Sequence, residues 1–305
     1  MTGTEAFRGI YPILYAFFGA DGRIDDEAMR RQVRGCLNAG AHGIALLGLI
    51  TEVRKLSREE RLSLVALAVE EVAGTVPVAV TVAEDTVADQ VAMVSEAAAL
   101  GADWVILQPP RIDDLDEAAL LRFFGAVADA APLPVAIQNA PAFLGIGLGP
   151  AAIRTLNRHH PRFCLLKGEG PVLEIRRVIE ETAGAVTVFN GRGGLELPDN
   201  LRAGCAGMIP APECFDRQVA IFDLMAAGDE AGADAAYAAI LPLITFLMQS
   251  VETSLCYGKR IVARRAGLGD VVNERDPAMV PTPFGLGIMD RYSADLPMFD
   301  TTARR

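Results

Sequence analysis

The chain has 305 residues, of which 51% are hydrophobic and 22% charged, with a formal net charge of −11 and a pI near 4.8. That length holds one α/β barrel or two average domains, and it buries a large core without disulfides or metals. The acidity argues against nucleic acid, whose phosphates demand clustered Lys and Arg, and against an anionic membrane surface.

Short apolar runs recur along the first 212 residues, at 10–16, 43–48, 77–82, 104–109, 134–139, 163–168, 186–191 and 207–212. Each is continuous rather than alternating, as strands buried on both faces of a parallel sheet are. Helical patterns separate them, among them DDEAMRRQVRGCLNAGA and REERLSLVALAVEEVAG. The second places Leu62, Val65, Ala66, Val69 and Val72 on one stripe. Ser57 and Glu60 form a capping box at its start, and Gly40, Gly74 and Gly101 fall where helices should stop. Eight strand-plus-helix units predict a (β/α)8 TIM barrel, an α/β fold. The rival doubly wound sheet calls for a GxGxxG turn after the first strand, and none is present. The predicted barrel is residues 1–227, with its eighth helix at 213–227. Residues 228–305 form a C-terminal helical extension packed on the barrel, with two or three helices between about 229 and 268 and a mostly irregular tail from Val280.

The uncharged stretch 130–153 carries Pro132, Pro134, Pro141 and Pro150, so it is no spanning helix. The seventeen residues 235–251, with Pro242, Gln249 and Ser250, read as a buried helix. The opening MTGTEAFRGI lacks a basic region followed by an apolar one, which predicts no signal peptide. Five cysteines without a CxxC pair read as reduced, mostly buried thiols of a cytoplasmic protein. Three histidines without ligand spacing predict no metal site; His159 and His160 read as solvated cap residues.

Barrel active sites gather at the C-terminal ends of strands. In chain order those ends carry Tyr15, Gly48-Leu49-Ile50-Thr51-Glu52, Glu84, Gln108, Gln138-Asn139, Lys167-Gly168-Glu169, Asn190-Gly191-Arg192 and Pro210. Lys167 stands apart, closing an otherwise apolar strand that points into the barrel. Desolvation there favours the neutral amine, which can attack a ketone and form a Schiff base. The same position also suits a structural ion pair with Glu169 or Glu52.

These residues carry a family resemblance over essentially the whole chain. GIYPILYAFFGADGRIDDEAM, GLITEVRKLSREER, LLKGEG, VFNGRGG and GCAGMIPA resemble segments of the dihydrodipicolinate synthase and N-acetylneuraminate lyase family of class I aldolases. The resemblance implies that Lys167 is the covalent Schiff-base residue, that no other cofactor is needed, and that the chain forms a homotetramer or homodimer. It also places Leu49, Ile50, Thr51, Asn139, Asn190, Gly191, Arg192 and Ile209 around a 2-keto acid substrate.

The departures from the family pattern bear on mechanism. The usual proton-shuttling tyrosine of "YN-x-P" is replaced in Gln138-Asn139-Ala140-Pro141, and a glutamine amide cannot donate and recover a proton. Leu49 and Ile50 replace the paired threonines, Phe143 the arginine beyond the proline, and Pro110 and Arg111 the tyrosine pair after strand four. A subset with "QDAP" or "QNAP" resembles sugar-acid dehydratases acting on 2-keto-3-deoxypentonates such as L-2-keto-3-deoxyarabonate. Such a dehydratase is the first expectation; a pyruvate-dependent aldolase or synthase and an inactive ligand-binding barrel are the alternatives. Glu169, Thr51, or a water held by Gln138 and Asn139 are the candidate proton carriers. Arg192 is either a substrate anchor or a surface arginine on a glycine-rich loop. Tyr257-Gly258-Lys259-Arg260 reads as a basic face packing between subunits, with Tyr257 as a second source of a hydroxyl.

Overall fold

The computed structural model describes residues 7–270 and 272–303. Most of the segment read for a signal peptide therefore lies outside the described residues. All eight apolar runs pair as parallel strands: β1 (Gly9–Ile10), β2 (Ile44–Leu46), β3 (Val78–Val82), β4 (Trp104–Leu107), β5 (Val135–Asn139), β6 (Phe163–Gly168), β7 (Thr187–Asn190) and β8 (Gly207–Met208). Their order is β1-β8-β7-β6-β5-β4-β3-β2, and a parallel bridge between Ile13 and Ala45 brings the extension of β1 onto β2. With helices outside, this is the expected (β/α)8 barrel. The two strands at the seam are shorter than their apolar runs. Pro12 and Pro210 lack the N–H a ladder needs, which leaves single bonds such as Ile13 N to the Pro210 carbonyl at 2.8 Å.

Side-chain parity along the strands sorts the interior into two cores. Ala45, Ala79, Trp104, Ile106, Ala136, Leu165, Phe189 and Ile209 fill the barrel. Ile44, Leu46, Val105, Leu107, Ile137 and Leu166 face the helices. All five cysteines are free and buried.

The helix Arg58–Val72 begins where the capping box predicts, with Ser57 accepting the Glu60 amide and the Glu60 carboxylate accepting the Ser57 amide. Ser57→Ala should lower stability by about 1 kcal/mol, seen as a lower thermal midpoint; an unchanged midpoint would mean that the cap contributes nothing. The buried face differs from the expected stripe. It is Leu64, Val65, Leu67, Ala68 and Val72, while Ala66 is exposed and Leu62 and Val69 are half-buried. Leu, Val and Ala occur all round this helix, so periodicity sets its face poorly and packing on the sheet decides it.

After Phe215–Ala226, which completes the barrel, the chain forms Glu230–Leu247, a continuous helical run over 251–265, and Pro283–Ser293. The last of these corrects the expectation of a mostly irregular tail: Thr282 accepts the Gly285 amide as a cap and Pro283 occupies the first turn. Glu230–Leu247 is long and apolar enough, by length and composition, to cross a membrane. It buries Ala233, Ile240, Leu243, Ile244, Phe246 and Leu247 and exposes Ala235, Ala238, Ala239 and Pro242, so about a third of it is buried rather than the whole.

Candidate active site

Inward parity brings Gln108, Gln138, Lys167 and Glu169 to the C-terminal mouth of the barrel. Gln138 and Lys167 are direct partners in the β5–β6 register. The Gln108 amide donates to Gln138 Oε1 at 2.9 Å, and Gln138 Nε2 donates to Glu169 Oε1 at 2.7 Å. Lys167 Nζ lies 3.0 Å from that carboxylate oxygen. The Lys167 side chain is 4% exposed, so a buried amine and its carboxylate partner form a row with two amides. Glu169 sits just past the end of β6 yet keeps the lysine's face, because Gly191 lets it approach: a Cβ there would come within 2.9 Å of the Glu169 carboxyl carbon.

Lys167 and Glu169 open into a cavity that Leu49, Ile50, Arg192 and Ile209 also line. Phe143, Ile13, Ile244 and Leu247 make much of its wall apolar. Arg192 Nη1 pairs with Glu196 at 2.8 Å. The backbone amides of Ile50 and Thr51 donate no hydrogen bond among the described residues. Leu47, Glu52, Arg192 and Glu196 all adopt positive φ, between 52° and 65°, so strained backbone brackets both loops at the cavity.

Other expected site residues do not line the cavity. The Thr51 hydroxyl donates to the Leu14 carbonyl at 2.6 Å. Asn139 bonds both the amide and the carbonyl of Leu148, at 2.7 and 3.0 Å. Asn190 donates to the Gly170 carbonyl and to Asn200, at 3.0 and 2.8 Å. Gly191 is backbone support for Glu169, and Gln138 reaches the cavity only through Glu169. Backbone groups left open at strand ends capture short polar side chains, and a sequence does not show which will be captured.

The stretch expected as an intersubunit basic face turns inward. Lys259 is fully buried and pairs with Glu52, which also holds Lys55 at 2.8 Å. Tyr257 is buried and its hydroxyl accepts the Thr282 amide at 3.2 Å, away from the cavity. His160 Nδ1 lies 2.8 Å from Asp129 rather than in solvent, whereas His159 is exposed. Among the described residues, no group of three or more His, Cys, Asp and Glu side chains is placed to hold a metal.

Two residues to which the sequence assigned no role meet at the seam of the barrel. The Tyr15 hydroxyl donates to Glu213 Oε1 and lies 3.0 Å from the Ser254 carbonyl. Glu213 lines the same cavity as Lys167. Burial pushes its carboxyl up to about 7, against the lowering effect of the Tyr15 hydrogen bond, its own backbone amide and the Arg265 charge. Burial, then the Glu213 charge, hold Tyr15 well above the usual phenol range. A π-helical turn, Ser254–Gly258, roofs the pair. A Cβ on Gly258 would collide with both the Tyr15 hydroxyl and Glu213 Oε1. A signal did exist: Ile13 and Tyr15 share parity, as do Ile209, Ala211 and Glu213, so both polar groups are inward.

The sequence profile of the dihydrodipicolinate synthetase family matches residues 6–281. The 4-hydroxy-tetrahydrodipicolinate synthase of Methanoculleus marisnigri is 30% identical over 78% of this chain and 83% of its own. An L-2-keto-3-deoxyarabonate dehydratase of Azospirillum brasilense is 29% identical over 80% of each. The solved structure of YagE, an Escherichia coli K12 prophage protein in complex with pyruvate, superposes with a TM-score of 0.83 at 25% identity, covering 94% of this chain and 97% of YagE. The barrel, the strand-end lysine and these matches agree, and the chain belongs to the dihydrodipicolinate synthetase family of lyases.

Proposed function

We propose that the protein is a Schiff-base lyase acting on a 2-keto acid, and that its reaction is dehydration of a 2-keto-3-deoxy sugar acid. The observation that carries this reading is the Lys167 amine, buried 3.0 Å from Glu169, with Gln138 holding that carboxylate where a phenol would otherwise stand. Glu169 takes the ammonium proton, and the free amine attacks the ketone carbon. The carbinolamine hydroxyl takes that proton back from Glu169 and leaves as water to give an iminium, which acidifies the adjacent carbon. Elimination then needs only that a carbon proton be removed and a neighbouring hydroxyl be protonated. The free amide of Ile50 and the Arg192 guanidinium supply donors for the substrate carboxylate or hydroxyls. On this reading no cofactor is used, and the enzyme works as a cytoplasmic homotetramer or homodimer.

The dehydratase among the relatives supports this choice. A pyruvate-dependent aldolase is the second reading, favoured by the likeness to a pyruvate complex. Borohydride reduction in the presence of pyruvate or L-2-keto-3-deoxyarabonate should add the mass of one substrate less its ketone oxygen to the protein, and the adduct should vanish in Lys167→Ala. An intact wild type, or an adduct that persists in the variant, refutes the Schiff base and leaves a ligand-binding barrel. Products separate the two chemistries: a 2-oxoglutarate semialdehyde for the dehydratase, pyruvate and an aldehyde for the aldolase.

A further inference from the structure

Charge placement around the cavity leaves one carboxyl without a structural explanation. Glu213 is buried, and the side chain that donates to it is the neutral Tyr15 hydroxyl. The nearby cation does not neutralise it by direct contact: Arg265 Nη1 bonds the Glu213 backbone carbonyl at 2.6 Å and Asp216 at 2.8 Å. Burying a carboxyl beside a phenol, with no paired cation, opposes stability. The surroundings are nevertheless shaped for it, since the π-turn and Gly258 leave room that any larger residue would fill. The carboxyl lines the same cavity as Lys167 and Glu169 but comes from the stretch after β8, two strands round the barrel from β6.

We propose that Glu213 is the general acid that protonates the departing hydroxyl of the substrate, while Tyr15 is the positioning residue that aims it. The inference rests on the Schiff-base reading above. In the step, a proton leaves the carbon next to the iminium for Glu169, and that C–H pair moves to the iminium to make an enamine. The enamine pair then expels the hydroxyl from the following carbon. The C–O bond breaks, the proton of the Glu213 carboxyl goes to the leaving oxygen, and water departs. Glu213 is left as a carboxylate hydrogen-bonded by Tyr15, ready to be reprotonated. The two carboxyls divide the work because their environments differ. Glu169 lies 3.0 Å from the Lys167 nitrogen that carries the substrate, whereas Glu213 sits against a phenol and burial pushes its carboxyl up to about 7.

The groups that face Glu213 are few. Tyr15 comes from the β1 end, with Glu52 and its partner Lys259 behind it. Cys214, Asp216 and Arg265 flank it, and Lys167 and Glu169 line the same cavity. Removing the Tyr15 hydroxyl takes away a donor that favours the carboxylate, so the acid should hold its proton to higher pH.

The test uses the intact enzyme with Glu213→Gln, Tyr15→Phe and Glu169→Gln. Three readouts are compared: borohydride trapping with pyruvate, exchange of the pyruvate methyl protons in D2O, and dehydration of L-2-keto-3-deoxyarabonate from pH 5 to 9. Glu213→Gln should keep trapping and exchange within about threefold and lose dehydration by about 100-fold or more. Glu169→Gln should lose exchange and dehydration together. In the wild type kcat should fall above about pH 7 as Glu213 deprotonates. That limb should disappear in Glu213→Gln and move to higher pH in Tyr15→Phe, a shift that a merely structural tyrosine would not produce. Glu213→Gln dehydrating within threefold of wild type, or losing exchange as well, overturns the assignment while leaving the Schiff base intact. A wild type that shows neither adduct nor turnover removes the function reading and this inference with it.

Discussion

Replacing Lys167 with methionine is expected to lower turnover by about 10⁴-fold or more. On the proposed mechanism no iminium forms without the amine, so the carbon beside the ketone is not acidified and neither carboxyl has a proton worth moving. Residues that act on one intermediate are not additive, so Lys167→Met with Glu169→Gln should be no slower than Lys167→Met alone. The fold should survive. Methionine fills most of the lysine's volume, and Glu169 keeps the Gln138 amide at 2.7 Å as a donor, so its charge is not stranded. Steady-state kinetics with far-ultraviolet circular dichroism checks both halves. Activity above about a hundredth of wild type in a folded Lys167→Met protein would show that the ketone is activated by some group other than an imine.

The second large effect is on stability. Glu52→Ala should cost about 3–5 kcal/mol, the usual penalty for leaving a buried ion without its partner. Lys259 is fully buried, and apart from Glu52 it faces the ring of Phe18 at 5.5 Å, too weak a contact to replace a carboxylate. Lys55 loses less, because it also donates to the Arg275 and Asp276 carbonyls, at 2.7 and 2.9 Å. The double variant Glu52→Leu, Lys259→Met removes both charges and should recover most of the loss. Thermal midpoints of the three proteins decide it. A double variant no better than Glu52→Ala would mean that the loss comes from packing at the loop after β2 and not from a stranded charge.

Much of this protein was readable along the chain. Strand runs such as 78–82 and 163–168 are continuous because both faces of the sheet are covered, and that pattern is local. Lys167 is conspicuous as the one charge in such a run, and parity alone puts Glu169 on its face. The Ser57–Glu60 cap is likewise a matter of neighbours three residues apart.

Where the sequence was silent or misleading, the deciding contact is distant. Tyr15 and Glu213 are 198 positions apart and meet because the ends of β1 and β8 lie side by side at the barrel seam. Lys259 and Glu52 are 207 apart, and what looks like a basic surface stretch becomes an interior charge once the C-terminal helix folds over the mouth. Thr51, Asn139 and Asn190 have the chemistry of ligands, but each is drawn into the wall by a backbone group that only the folded loops present. The sequence by itself determined the barrel, its register of inward residues and its buried amine, because these follow from spacing along one chain. Tertiary structure alone decided which second carboxyl shares the cavity with that amine and which groups surround it, because desolvation and partner geometry exist only after strands far apart in sequence have met.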